Sequence, residues 1–264
     1  MFQGRTSNSR LDFNSITMAD HTDASREKAP VPVTHVIFDL DGLLLNTEIF
    51  YTQILEEYCI KYGKAFTWEV KQRQMGRKER EAALVAIETL RLPVTVDEYI
   101  KHVRQELTHV LPTCKFLPGA VKLVQHLHRH KIPMAIATGS DTFFFGKKTM
   151  NHKDFLLMFQ HHVLASDDPE VKVGKPAPDV FLVCARRFPD APDPKNCLVF
   201  EDALNGVQAA VAAGMRVVAV PDERADLKEF KDSGATLILK SLLEFDPSSF
   251  QLPPYDSHSN DEAH

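Results

Sequence analysis

Five short apolar runs in this chain each stop abruptly at small polar or acidic residues. His35-Val36-Ile37-Phe38 ends at Asp39-Leu40-Asp41-Gly42, Ile132 to Ala137 ends at Thr138-Gly139-Ser140, and Val163 to Ala165 ends at Ser166-Asp167-Asp168. Leu198 to Phe200 runs into Glu201-Asp202, and Val217 to Val220 into Pro221-Asp222. Runs this short and this rich in β-branched and aromatic residues read as buried strands. Between them lie helical patterns at Gly119 to His130, Pro178 to Phe188 and Asn205 to Ala213, the last closed by Gly214 where a helix end favours glycine. Strands alternating with helices predict an α/β, Rossmann-like parallel sheet with helices on both faces, whose ligands bind beyond the carboxyl ends of the strands. The polar strand ends are therefore the expected site.

One interval breaks the alternation. Residues 49–116 hold helical stretches, Ile49 to Tyr62 and Arg77 to Leu90, and no convincing strand. They predict an inserted α-helical cap domain within a core made of residues 34–48 and 117–246. Residues 1–33 are polar and read as a disordered N-terminal tail, and residues 247–264 as a polar, Pro-containing C-terminal tail. An apolar content of 44% with 11 Gly and 16 Pro excludes collagen-like and mainly disordered classes. The excess of 36 acidic over 31 basic residues leaves no global basic field to draw a nucleic-acid polymer or an anionic membrane. Small molecules or proteins are the expected partners, with a monomer favoured. Cys59, Cys114, Cys184 and Cys197 lie far apart, no apolar run reaches the roughly 18 residues of a membrane span, and no secretory leader opens the sequence. These features predict a reducing, cytoplasmic setting.

Asp39 and Asp41 set two carboxylates two positions apart where a buried strand ends. A calcium loop would need further oxygen ligands, and Leu43-Leu44-Leu45 supplies none. One carboxylate suits a nucleophile or metal ligand and the other a proton carrier for a leaving alcohol, while two solvated loop acids are the bland alternative. Thr138, with the backbone N–H groups of Gly139 and Ser140, can hold an anion. Lys175 is flanked by residues that restrict its backbone, in Gly174-Lys175-Pro176-Ala177-Pro178-Asp179. Glu201 and Asp202 add two more acids at a strand end, and packing them near Asp39 without a cation is costly. A hard divalent cation with oxygen ligands, Mg²⁺, answers that cost.

These four groups, in this order and all at strand ends, resemble the four motifs of the haloacid dehalogenase superfamily, over about Val33 to Tyr255. The resemblance implies a Mg²⁺-dependent phosphomonoesterase in which Asp39 accepts the phosphoryl group, and Asp41 protonates the leaving oxygen and then activates water. It implies that Thr138 and Lys175 hold the phosphoryl oxygens, and that Asp39, the backbone carbonyl of Asp41 and Asp202 bind Mg²⁺, with Glu201 acting through water. The helical insertion then resembles a family cap, and Met75-Gly76-Arg77-Lys78 its specificity loop, with Arg77 and Lys78 gripping the substrate. Asn46 stands where relatives commonly carry Asp, a departure that bears on the cap hinge and leaves the chemistry alone.

Dehalogenases of the superfamily lack an acid two positions after the nucleophile, and related sugar phosphomutases carry a cap histidine where this chain has Tyr51. A non-catalytic relative is expected to have lost one of Asp39, Asp41, Lys175 or Asp202, and all are present. A phosphatase remains. Longer stretches, such as Asp41 to Glu48, Asp167 to Val171 and Gln251 to Tyr255, resemble the eukaryotic branch that contains pseudouridine-5′-phosphatases and glycerol-3-phosphatases. That implies pseudouridine 5′-phosphate as substrate, with glycerol 3-phosphate or another small polyol or sugar phosphate as the alternative. His126, His128 and His130 cannot all share one helical face, because positions two apart point away from each other, so no metal site is expected there. Phe143-Phe144-Phe145 reads as cap lining or core packing, and Lys148 and His152 as structural.

Overall fold

The computed structural model describes residues 32–75 and 77–256. Strands β1 (His35–Phe38), β2 (Met134–Thr138), β3 (His161–Leu164), β4 (Cys197–Glu201), β5 (Arg216–Ala219) and β6 (Leu237–Ile238) form one sheet. Every pairing is parallel and the order is β3-β2-β1-β4-β5-β6. The α/β parallel sheet expected from the sequence is therefore present. β6 is an addition: two half-buried residues at an edge give no period to read.

The helices are α1 (Glu48–Ile60), α2 (Trp68–Gln74), α3 (Glu79–Leu90), α4 (Val96–Val110), α5 (Ala120–Arg129), α6 (Thr142–Thr149), α7 (Lys153–Leu156), α8 (Asp179–Arg186), α9 (Leu204–Ala212) and α10 (Leu227–Asp232). Alternation along β1 divides the core. Val36 and Phe38 face a cluster that includes Leu123, Val124 and Leu127 of α5, whereas Ile37 faces Val180, Phe181 and Cys184 of α8 and Val207 of α9. Both faces of the sheet are thus covered, and each buried Leu or Phe contributes about 1.5–3 kcal/mol. Gly214, at φ +77°, takes the left-handed position after α9, as the sequence predicts.

Helices α1 to α4 share a third cluster, built from Ile54, Leu55, Tyr58, Val70, Ala83, Tyr99 and Leu107. The chain enters and leaves this helical segment side by side. Asn46 donates its N–H to the Lys115 carbonyl at 2.8 Å, and Leu117 donates to Leu44 at 2.9 Å. Asn46 acts there through its backbone, its side chain exposed. Arg104 of α4 ties the segment to the sheet side, donating to Glu79 at 3.0 Å and to Asp141 at 2.6 Å.

Two boundaries differ from expectation. Val33, assigned to the N-terminal tail, is 5% exposed and belongs to the core, and the N–H of Thr34 donates to Asn196. Residues 247–256, expected as part of a polar tail, form a 3₁₀ turn at Pro247–Phe250 and bury Phe250 and Leu252 against the α5 face. Two spaced apolar side chains pin this stretch even though its average composition is polar. The rest of the expected tails, residues 1–31 and 257–264, lies outside the described residues. Among the described residues no helix is long and apolar enough to cross a membrane.

Candidate active site

Strand register decides which side chains meet. Phe38 lies opposite Phe200, so the next residues, Asp39 and Glu201, leave the sheet side by side. Phe38 also lies opposite Ile136, which brings Thr138 to the same edge. Lys175 reaches this edge from the loop before α8. Its ammonium, 2% exposed, donates to Asp39 Oδ1 at 2.5 Å, to Glu201 Oε1 at 2.5 Å and to the Ala137 carbonyl at 3.3 Å. Glu201 is held at its other oxygen too, since Oε2 accepts the N–H groups of Asp202 and Ala203 at 3.1 and 3.2 Å. Gly206 makes room for it: a Cβ there would stand 2.0 Å from the Glu201 carboxylate.

Asp202 packs over the turn that follows Asp41. Gly42, at φ +77°, would place a Cβ 2.2 Å from Asp202 Oδ2, so both the backbone conformation and the close approach require glycine. The Asp202 carboxyl is 6% exposed, and it receives no hydrogen bond from the described residues. Burial, then Glu201, Asp39 and Glu48, push its pKa well above the ordinary carboxylate range. Burial likewise lifts Asp39 to about 7, against the pull of Lys175. Asp39, Glu201 and Asp202 share one ammonium, and an orphaned buried carboxylate beside them is what a divalent cation would satisfy. The donor set, all oxygen, fits Mg²⁺.

Asp41 faces a different partner. Burial would raise its pKa, but Lys148 outweighs burial and holds it below the ordinary value, aided by hydrogen bonds from Thr47 and Ser140. The Lys148 ammonium is 2.7 Å from Oδ1 and 2.8 Å from Oδ2, the Thr47 hydroxyl donates at 2.6 Å, and the Ser140 hydroxyl at 3.0 Å. Thr138 reaches the same carboxylate at 3.3 Å. Lys148 is 1% exposed and also lies 5.4 Å from the centre of the Tyr51 ring. Sequence reasoning assigned Lys148 a structural role. This lysine is the penultimate residue of α6, and its pairing with Asp41 spans 107 residues, a contact that no local pattern reveals. His152 fits the structural reading, bonding the Cys114 carbonyl at 2.9 Å.

A cavity of about 450 Å³ opens from these groups towards the helical segment. Asp39, Asp41, Thr138, Gly139, Ser140, Glu201 and Asp202 line it from the strand ends, and Tyr51, Gln74, Met75, Arg77, Lys78 and Tyr99 line it from the helical segment. Arg77 donates its Nε to the Arg73 carbonyl at 2.6 Å, and the Lys78 stem lies against Gly174, next to Lys175. Two further residues of the cavity were not expected: Glu48, whose carboxyl is raised by burial against the pull of Lys71, and Lys71 itself, 5% exposed and 3.3 Å from Glu48. Phe144 joins the helical cluster and the cavity while Phe145 joins the sheet core, so the triplet serves both expected roles. The Tyr51 hydroxyl, pushed up to about 12 by burial, stays a neutral phenol where the phosphomutases use histidine.

Comparison with known proteins identifies the family. A haloacid dehalogenase-like hydrolase family model matches residues 33–214. An Arabidopsis thaliana protein named (DL)-glycerol-3-phosphatase 1, mitochondrial, is 47% identical over 90% of this chain and 79% of its own length. A Drosophila melanogaster protein named probable pseudouridine-5′-phosphatase is 44% identical over 84% of this chain and 96% of its own. A haloacid dehalogenase family hydrolase from Deinococcus radiodurans, solved with bound phosphate and sodium, shares the fold at a TM-score of 0.68 and 20% identity, over 85% and 99% of the two chains. The chain belongs to the haloacid dehalogenase-like hydrolases and is a phosphatase of that family.

Proposed function

We propose that the protein is a cytoplasmic, Mg²⁺-dependent phosphomonoesterase that works through an aspartyl-phosphate and prefers pseudouridine 5′-phosphate. The four free, buried cysteines accord with a reducing compartment. Asp39 is the nucleophile: its carboxylate attacks phosphorus and the P–O bond to the leaving alcohol breaks. Asp41 gives that oxygen a proton, then takes one from the water that hydrolyses the acyl phosphate. Thr138, Gly139, Ser140 and Lys175 hold the phosphoryl oxygens. Asp39, the Asp41 carbonyl and Asp202 would hold Mg²⁺, while Glu201, both oxygens engaged, fixes Lys175. When bound, the cation offsets phosphoryl charge and so lowers the barrier to attack by an anion.

Lys148 is a positioning residue in this scheme, since it orients Asp41. Lys148→Met is expected to lower kcat by roughly 10²-fold, the usual scale for a displaced acid–base group, with little change in KM for a small ester. A wild-type kcat would reduce Lys148 to packing.

The size of the cavity supports the choice of substrate. A three-carbon polyol phosphate would fill little of about 450 Å³, whereas a nucleoside monophosphate would fill much more of it. On the helical side of the cavity Gln74 is 9% exposed; its Nε2 donates to the Ala82 carbonyl at 2.7 Å, and its Oε1 is buried without a partner. Pseudouridine carries an extra ring N–H donor that uridine lacks, and Oε1 supports its recognition. An unmade buried hydrogen bond costs on the order of 1–3 kcal/mol. In a phosphomonoester panel, pseudouridine 5′-phosphate is expected to exceed uridine 5′-phosphate and glycerol 3-phosphate by at least about tenfold in kcat/KM. Arg77→Ala and Lys78→Ala should lower that value far more than the value for a small artificial ester. Glycerol 3-phosphate in first place would instead favour the activity in the Arabidopsis relative's name.

A further inference from the structure

The structure brings together a group of side chains that the phosphatase chemistry does not use. His126 and His130 stand four apart at the end of α5, the spacing that puts two side chains on one helical face, and their ring centres are 4.6 Å apart. Asp256 arrives from the C-terminal stretch that packs on this helix. Each of the three brings one ligand atom to within 4.8 Å of the others. His128, which the sequence grouped with them, is exposed and outside this group, and the carboxylate of Asp256 completes it instead.

His126 supplies the second observation. It is fully buried, and its Nε2 lies 2.8 Å from the Pro253 carbonyl, so Nε2 carries the proton. The Nδ1 lone pair is thereby left as an acceptor, and that atom is buried with no hydrogen-bond partner. A histidine whose second ring nitrogen donates to a backbone carbonyl is fixed in the tautomer and orientation that metal ligation uses. Tyr255 closes the other side of the His126 ring, with centres 4.6 Å apart. The helix C-terminus, where carbonyls face outward, adds a field favourable to a cation.

We propose that His126, His130 and Asp256 form a second metal site, separate from the Asp39 centre, that takes a borderline divalent ion such as Zn²⁺ and fastens residues 253–256 to α5. Two imidazoles and one carboxylate suit Zn²⁺ and its neighbours in the transition series and do not suit Mg²⁺. The site lies at the opposite edge of the sheet from the chemistry. His130 precedes β2, and Thr138 ends it.

Zn²⁺ binding to the full chain, measured by calorimetry in excess Mg²⁺, tests this. One Zn²⁺ equivalent is expected that persists in Asp202→Asn and weakens at least about tenfold in His130→Ala and in Asp256→Asn. Both altered residues are exposed, so these variants should keep the fold. Zn²⁺ should raise the Tm of the wild type and leave that of His130→Ala unmoved, and Co²⁺ should give a visible absorption band that His130→Ala loses. Zn²⁺ binding unaltered by His130→Ala, or abolished by Asp202→Asn alone, would overturn the proposal.

Discussion

Asp39→Asn is expected to abolish phosphomonoester hydrolysis, by roughly 10⁴-fold or more, because an amide cannot form the acyl phosphate. Enzyme freed of host phosphatases and assayed with saturating Mg²⁺ gives the measurement, and retention of most activity would exclude the covalent route. The same substitution has a signature that needs no substrate. Burial raises the Asp39 carboxyl to about 7, with Lys175 opposing and Glu201 and Asp41 adding to the rise. Between its ordinary value near 3.8 and about 7, the folded protein keeps a proton that the unfolded chain has released. Folding stability of the metal-free protein therefore falls as pH rises through that window. Its Tm should drop more steeply between about pH 4 and 7 for wild type than for Asp39→Asn, which has no carboxyl to titrate there. Mg²⁺ should recover stability at the alkaline end, where the carboxylates are free to bind it. Equal slopes for the two proteins would mean that Asp39 titrates normally.

Much of this was legible because the signals are local. A buried strand and the acids that end it are adjacent in sequence, so Asp39, Asp41, Thr138, Glu201 and Asp202 could be read as one edge before any contact was known. What the sequence concealed is contact between distant segments. Lys148 meets Asp41, and Lys71 meets Glu48, through packing of separate helices, and nothing within a few residues of either lysine announces it. α4 was a different omission. Thr95 and Glu98 form a reciprocal capping box ahead of Tyr99, Val103 and Leu107, a local signal that was present and not used. The stretch 247–256 misled because composition averages over the two side chains that anchor it. For His126 and His130 the helical-face rule was applied to three histidines, and it does not reach a carboxylate that another segment, through Asp256, brings beside two of them.

Lys175→Met is expected to damage stability and turnover together, for one electrostatic reason. Burial acts to discharge the Lys175 ammonium, but Asp39 and Glu201 outweigh it and keep it charged. Removing that charge leaves Asp39, Glu201 and Asp202 buried with no counter-ion among them, and breaking such a buried pair costs about 3–5 kcal/mol. Denaturant unfolding of the metal-free variant at pH 7 should show a loss on that scale, shrinking as pH falls and the carboxyls accept protons. Turnover should fall by roughly 10²–10³-fold, since a fixed cation at the phosphoryl site is lost as well. Adding Glu201→Gln separates the two consequences. The amide removes one unpaired buried charge while keeping an oxygen for the N–H groups of Asp202 and Ala203, so the double variant should be more stable than Lys175→Met alone. Its activity should stay at the level of the single variant, because nothing replaces the ammonium. Strictly additive stability losses would show that Lys175 and Glu201 are not coupled, and the three-acid, one-ammonium account of this site would fall with that result.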